Sequence, residues 1–203
     1  MTDPVPHNQN RLGRMIGLIF HPLVIFIPTL VIVLKDADPL AAVGWLAFIS
    51  VVILSLAAIV LLRLKRQGRH TYQREARHHI YFAFWASMVV CVGLGLVLDA
   101  PHRLVFSLLC LCVWVPIQYT INARYTKISV HVAVITGIAT ALFVMGDLNN
   151  ILLVSGALVA ILATAWARLV TGNHSPLQVG LGMVVSVLSV LLAAGLFSLW
   201  QPL

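Results

Sequence analysis

Charge is what this sequence has least of. Of its 203 residues, 9% are Asp, Glu, Lys or Arg, against about a quarter in a soluble domain. Hydrophobic residues make up 61%, and the mean hydropathy is +1.00. So few charges cannot clothe a water-facing surface, which excludes a soluble globular domain. Carboxylates are scarcer still. Asp3, Asp36, Asp38, Glu75, Asp99 and Asp147 all fall in the N-terminal tail or between apolar runs. A transporter driven by protons or cations usually carries an acid inside the membrane, and no apolar run here holds one. Magnesium wants oxygen ligands, and only Asp3 and Glu75 lie on the side where the cations gather. Cysteine is sparse too. Cys91, Cys110 and Cys112 all sit in apolar runs and read as small core residues rather than a disulfide framework.

What the sequence does have is long apolar runs. A bilayer core about 30 Å thick needs about 20 helical residues to cross it. Seven stretches qualify or nearly do: Met15–Leu34, Leu40–Leu62, Ile80–Leu98, Leu104–Ile121, Ser129–Met145, Asn150–Val170 and Pro176–Trp200. The fold class is therefore all-α, a polytopic transmembrane bundle of about seven helices, or six if the first is re-entrant. His21-Pro22 and Pro28 make that first run the one to kink or turn back. It is too long for a signal-peptide h-region and no small-residue cleavage site follows it, so it reads as a retained helix. The length suits one membrane-embedded domain over residues 1–203 and no second.

Orientation follows from counting cations. The N-terminus and the second, fourth and sixth linkers carry Arg11, Arg14, Arg63, Lys65, Arg66, Arg69, Arg74, Arg77, Arg124, Lys127 and Arg168; the other side carries Lys35 and Arg103. That is eleven against two, and six against two when the cations suited to ligand binding are left out. The basic face is placed in the cytoplasm.

The chemistry gathers on that face. Arg, Lys, His and Ser without carboxylates suit an anion, phosphate above all. Lys127-Ile-Ser129-Val-His131 opens the fifth run. Arg168-Leu-Val-Thr-Gly-Asn-His174 leaves the sixth, with Ser175 as N-cap and Pro176 as first residue of the seventh. Helix N-termini favour bound anions, and both clusters fall on one side of the membrane.

These residues resemble the type 2 phosphatidic acid phosphatase superfamily. Arg168-x5-His174 looks like its third signature, Arg-x5-His-x3-Asp, and Ser129-Val-His131 looks like its second, Pro-Ser-Gly-His, with Ile128 and Val130 replacing Pro and Gly. The likeness runs from about residue 63 to 200. It is similar in particular to a divergent bacterial and archaeal branch in which Lys-Ile-Ser-x-His and Arg-x5-His-x3-Gln segments recur, implying the cytoplasmic membrane of a prokaryote. The first signature, Lys-x6-Arg-Pro, is not intact; Arg69, Arg74 and Arg77 are the cations offered in its place. The Asp of the third signature is Gln178, which can accept from the histidine and fix its tautomer but supplies no charge.

The resemblance implies a phosphatase that needs no metal or cofactor and acts on a lipid phosphate or diphosphate. His174 would attack phosphorus to give a phosphohistidine, and His131 would protonate the leaving oxygen. Arg168, Ser129, Lys127 and a linker arginine would hold the non-bridging oxygens. A cytoplasmic site suits a prenyl or polyprenyl diphosphate; a phospholipid phosphate is the other substrate class. The alternative is a non-catalytic lipid-phosphate binder or flippase that kept the pocket. Outside this group, plainer readings hold. His21 reads as a hydrogen-bonded structural histidine, His78 and His79 as interfacial groups, the tryptophans as packing or interface residues, and Gly93 and Gly95 as points of close helix contact. Partners are membrane lipids and the lipid substrate, with no nucleic acid.

Overall fold

The structure, a computed structural model, describes residues 7–66 and 74–199, with backbone alone at 7–10, 57, 64 and 74–78. The described residues form α1 (His7–Ile19), α2 (Pro22–Val33), α3 (Pro39–Arg66), α4 (Arg74–Val97), α5 (His102–Arg124), α6 (Val130–Val144), α7 (Ile151–Val170) and α8 (Pro176–Ser198), and no strand. Six stretches are long and apolar enough to cross a membrane: Arg11–Val33, Pro39–Arg63, His79–Val97, His102–Arg124, Ile151–Val170 and Pro176–Ser198. Leu40, Val97, Leu152 and Leu188 stand well exposed on the bundle's flanks, where only lipid tails accept them without cost. The chain is an integral membrane protein.

The first run is one broken span rather than one continuous helix. Pro22 has no N–H to extend α1, so the helix stops and restarts. The restart is capped by the preceding side chain, with Leu23 N–H donating to His21 Nδ1 at 3.2 Å. Pro28 lies within α2 and does not end it. The run crosses the bundle and does not turn back. Gly13 near its start lies against Val170 and Thr171 on the basic face, while Lys35 past its end pairs with Asp147 on the opposite one.

Elsewhere the ends follow their caps. Asp38 Oδ1 accepts from Leu40 and Ala41 N–H at 3.0 and 3.1 Å, with Pro39 as first residue of α3. Asn150 Oδ1 accepts from Leu153 N–H at 3.0 Å at the head of α7. On the face away from the cations, Asp147 pairs with both Lys35 and Arg103, and Arg103 also reaches Asp36 at 3.4 Å. Those pairs tie α2, α5 and the α6–α7 linker together.

The fifth predicted run is the shortest element. α6 has 15 residues, about 22 Å at 1.5 Å each, less than a bilayer core. It is an inner helix: of its residues only Phe143 is exposed, and it packs on α8, α7 and α2. Its short length is tolerated because neighbouring helices enclose nearly all of its surface. The close contacts also differ from those expected at Gly93, where an added methyl would meet open space. At Gly95 the expected contact is present, a methyl there meeting Val105 of α5 at 3.5 Å, and tighter ones fall at Gly13, Gly17 and Gly182; a methyl at Gly182 would lie 3.1 Å from the Ser129 carbonyl, which is how α8 presses on the head of α6.

Candidate active site

The site is assembled where α6 and α8 begin, α7 ends, and the first span breaks. Between α5 and α6 the chain leaves regular structure over Thr126–Ser129, and side chains hold it there. Tyr81 OH accepts from Asn122 Nδ2 at 2.7 Å, and Asn122 Oδ1 accepts from Ile128 N–H at 2.7 Å. Ser129 N–H donates to the Gln178 carbonyl at 3.3 Å, fixing the head of α6 against the head of α8. Ser129 is the N-cap of α6, yet its hydroxyl does not cap. It is buried and has no hydrogen-bond partner, an arrangement that costs about 1–3 kcal/mol unless a ligand completes it.

Between α7 and α8 the Arg-x5-His spacing folds back on itself. The Arg168 carbonyl accepts from Asn173 and His174 N–H at 3.2 and 3.3 Å, with Gly172 in the left-handed region at φ +66°, where a glycine is the default. Asn173 Nδ2 donates to Thr171 Oγ1 at 2.7 Å. The loop thus brings His174 back beside the end of α7 that carries Arg168. The guanidinium of Arg168 lies on the bare face of Gly17, where a methyl group would overlap Nη2. Its Nε is buried without a partner.

His174 stands one residue before the capping box made by Ser175 and Gln178. Gln178 Oε1 faces His174 Nδ1 at 3.1 Å and accepts from Ser175 N–H at 3.2 Å, while Gln178 Nε2 donates to Thr126 Oγ1 at 3.2 Å. The amide orientation is set by that network, because Ser175 N–H can only donate. In the neutral ring Nδ1 of His174 must then carry the proton, which puts the lone pair on Nε2. An amide in place of a triad carboxylate is damaging when it selects the wrong tautomer; here the second donor prevents that. Burial holds the His174 pKa below its ordinary value, helped by the charges of Lys127 and Arg168, while acceptance by Gln178 and by the Lys127 carbonyl partly opposes the shift. Near neutral pH the ring is uncharged.

His131 is the second residue of α6 and lies within electrostatic range of Arg168, His21 and His174. Its ring meets His21 edge to face, centroids 5.0 Å apart. His21 therefore belongs to the site and not only to the helix break. Because its Nδ1 accepts from Leu23, the neutral ring carries its proton on Nε2 and has a donor to offer. The sequence reading of His21 as a hydrogen-bonded structural histidine holds at the helix break; its approach to His131 is what that reading did not include. The available signal was a His-Pro step interrupting an apolar run, where a polar ring must find a use.

Of the residues singled out from the sequence, His174, His131, Arg168, Ser129, Lys127 and Gln178 come together around the heads of α6 and α8. Arg69 lies outside the described residues, as do the side chains of Arg74 and Arg77 at the start of α4. Among the described residues no group of three or more His, Cys, Asp or Glu is placed to hold a metal ion. Comparisons of the chain with protein-family models, with curated proteins and with solved structures return no match.

Proposed function

We propose that this protein is a membrane-embedded lipid phosphatase working through a phosphohistidine, a divergent relative of the type 2 phosphatidic acid phosphatases. The observation that carries the reading is the His174–Gln178 pair. It is a half-buried, uncharged imidazole with a fixed tautomer and its lone pair on Nε2, set beside Arg168 and within range of a second histidine. Nucleophilic catalysis by histidine needs that lone pair and a group that stabilises the ring as it becomes positive.

The substrate is a phosphate monoester or diphosphate of a hydrophobic alcohol. His174 Nε2 forms a bond to phosphorus as the bond to the leaving oxygen breaks, and His131, charged by a proton taken up with the anionic substrate, gives that oxygen its proton. Water then attacks the phosphohistidine, passing a proton back to His131 and releasing phosphate. Arg168 and Lys127 balance charge on the non-bridging oxygens, and Ser129 Oγ and His21 Nε2–H add neutral donors. Arg69, Arg74 and Arg77 are the linker cations assigned to the same task. No metal ion is needed in these steps. The basic face is assigned to the cytoplasm of a prokaryote, which suits a prenyl diphosphate delivered from soluble synthases.

One feature favours a second reading, a lipid-phosphate binder or flippase without chemistry: Gln178 gives the developing imidazolium no counter-charge. Phosphate release separates the two. Purified protein in detergent with EDTA is expected to release phosphate from at least one of a prenyl diphosphate, a prenyl monophosphate, phosphatidic acid and phosphatidylglycerophosphate. His174→Ala is expected to abolish release. No release from folded protein that still binds these lipids would overturn the phosphatase reading in favour of the binder.

A further inference from the structure

Beneath the polar cluster a cavity of about 150 Å³ runs along the bundle between α2, α3, α5, α6 and α8. Its wall begins at Pro22, next to His21, and at Ala133, two residues past His131; it ends at Val33 and Met145. Twelve helical steps from Ala133 to Met145 span about 18 Å, close to one leaflet's half of a 30 Å hydrocarbon core. The cavity is apolar throughout most of its length. The three hydroxyls on its wall are already committed to backbone carbonyls: Thr29 to Ile25 at 2.7 Å, Ser107 to Arg103 at 2.8 Å and Ser186 to Ala133 at 2.5 Å. Trp114 Nε1, buried without a partner, is the remaining polar atom of the lining, and the rest of the wall suits an apolar ligand.

The bore is made by small residues on one face of α6. Ala133, Gly137 and Ala141 line it at four-residue spacing, one above another on a helix. Gly137 is not small in order to let another helix approach, since an added methyl would meet its nearest neighbour, Ser186, at an ordinary 3.8 Å. Its missing side chain leaves the channel open.

We infer that this cavity receives the hydrocarbon chain of the substrate, and that the substrate class is single-chain lipid phosphates or diphosphates. The inference rests on the phosphatase reading for the position of the headgroup. The tail runs inward from the histidines along α6, where one apolar path leads from Pro22 and Ala133 to Val33 and Met145 and gives a single chain a place to lie.

The test is photolabelling of wild-type and His174→Ala protein with an alkyl phosphate bearing a terminal diazirine. Label is expected on Ala141, Leu142 and Met145, displaced by a prenyl phosphate and not by diacyl phosphatidic acid. Label confined to the lipid-facing Leu152, Leu188 and Leu192, or equal displacement by the diacyl lipid, would overturn the inference. Gly137→Leu, which fills the bore, is expected to weaken cavity labelling tenfold or more and to lower the preference for long-chain over butyl phosphate to the same degree. Cavity labelling without phosphate release from any substrate would leave the tail site standing and remove the phosphatase. Release with label only on the flanks would do the reverse.

Discussion

Replacing Gln178 by Glu isolates the contribution of one charge to the proposed nucleophile. The side chains have the same length, so Oε1 still faces His174 Nδ1, now at 3.1 Å from a carboxylate. The Thr126 hydroxyl, which accepts from Gln178 Nε2, can turn to donate instead. Opposite charges about 4 Å apart attract by about 4 kcal/mol at an effective dielectric of 20. Desolvation of the new carboxylate removes a good part of that, leaving about 1.5–3 kcal/mol. At 1.36 kcal/mol per pH unit, the acid limb of the rate profile is expected to rise by about one to two units. The direction is fixed by the wild-type state: His174 reacts neutral, its pKa lies below the ordinary value, and activity falls as pH drops through it. The same attraction acts on the ring as the N–P bond forms, so the plateau rate above the limb is expected to rise about ten- to a hundredfold. Gln178→Leu removes the acceptor and is expected to lower the plateau by 10²-fold or more, at about 1 kcal/mol of stability from the lost capping box. Initial rates of phosphate release from pH 4 to 9, with thermal melts of each variant, give all of these values. If Glu and Leu both leave the acid limb and the plateau where they were, His174 is not the attacking group.

Ser129→Ala is expected to leave the melting temperature unchanged or slightly higher, because the hydroxyl removed is buried and unpaired, while release falls tenfold or more. His21→Asn keeps a side-chain acceptor for Leu23 N–H and so keeps α2; release is expected to fall with the melting point held, whereas a purely structural histidine would leave release intact. Asp147→Asn is expected to cost about 1.5–3 kcal/mol, the value of hydrogen bonds to a charged group, read as a lower melting temperature. Burial raises the Asp147 pKa, but its bonds to Lys35 and Arg103 outweigh that and hold it below the ordinary carboxylate value. Its contribution is therefore full above the unfolded pKa and lost as pH falls through the lowered one, so the acid-induced drop in melting temperature should flatten in the variant.

The membrane spans were legible because hydropathy over about 20 residues measures the same cost the bilayer imposes. Ser175, Pro176 and Gln178 were legible for a related reason: capping is local, and four residues contain all of its donors and acceptors. The motif residues His131, Arg168 and His174 could be placed on one face by counting spans. What could not be read was long-range packing. Nothing in Met15–Leu34 says that His21 will meet His131, because apolar helices carry little information about which neighbour each face touches. The same limit hid Gly17, whose role depends on a guanidinium from α7. It also hid the central position of α6, since a run of 15 to 17 apolar residues looks alike whether it faces lipid or protein.

The break in the first span joins the two halves of the proposed site. A proline at residue 22 costs α1 its continuation, and the lost backbone bond is partly replaced by the His21 ring accepting from Leu23. That commits Nδ1 and leaves Nε2–H as the ring's remaining donor. One residue further on, Pro22 lines the mouth of the apolar cavity. A polar donor and an apolar wall are thus adjacent in the chain, as the proposed lipid phosphate would require where its headgroup gives way to its tail. An unbroken helix would place residues 21 and 22 about 100° apart on a continuous cylinder, with the residue 21 side chain free of any capping duty and able to turn to lipid. The interruption is therefore best explained as a positioning device. Moving the His-Pro step by one residue, with both residues kept, should damage catalysis and chain-length preference together.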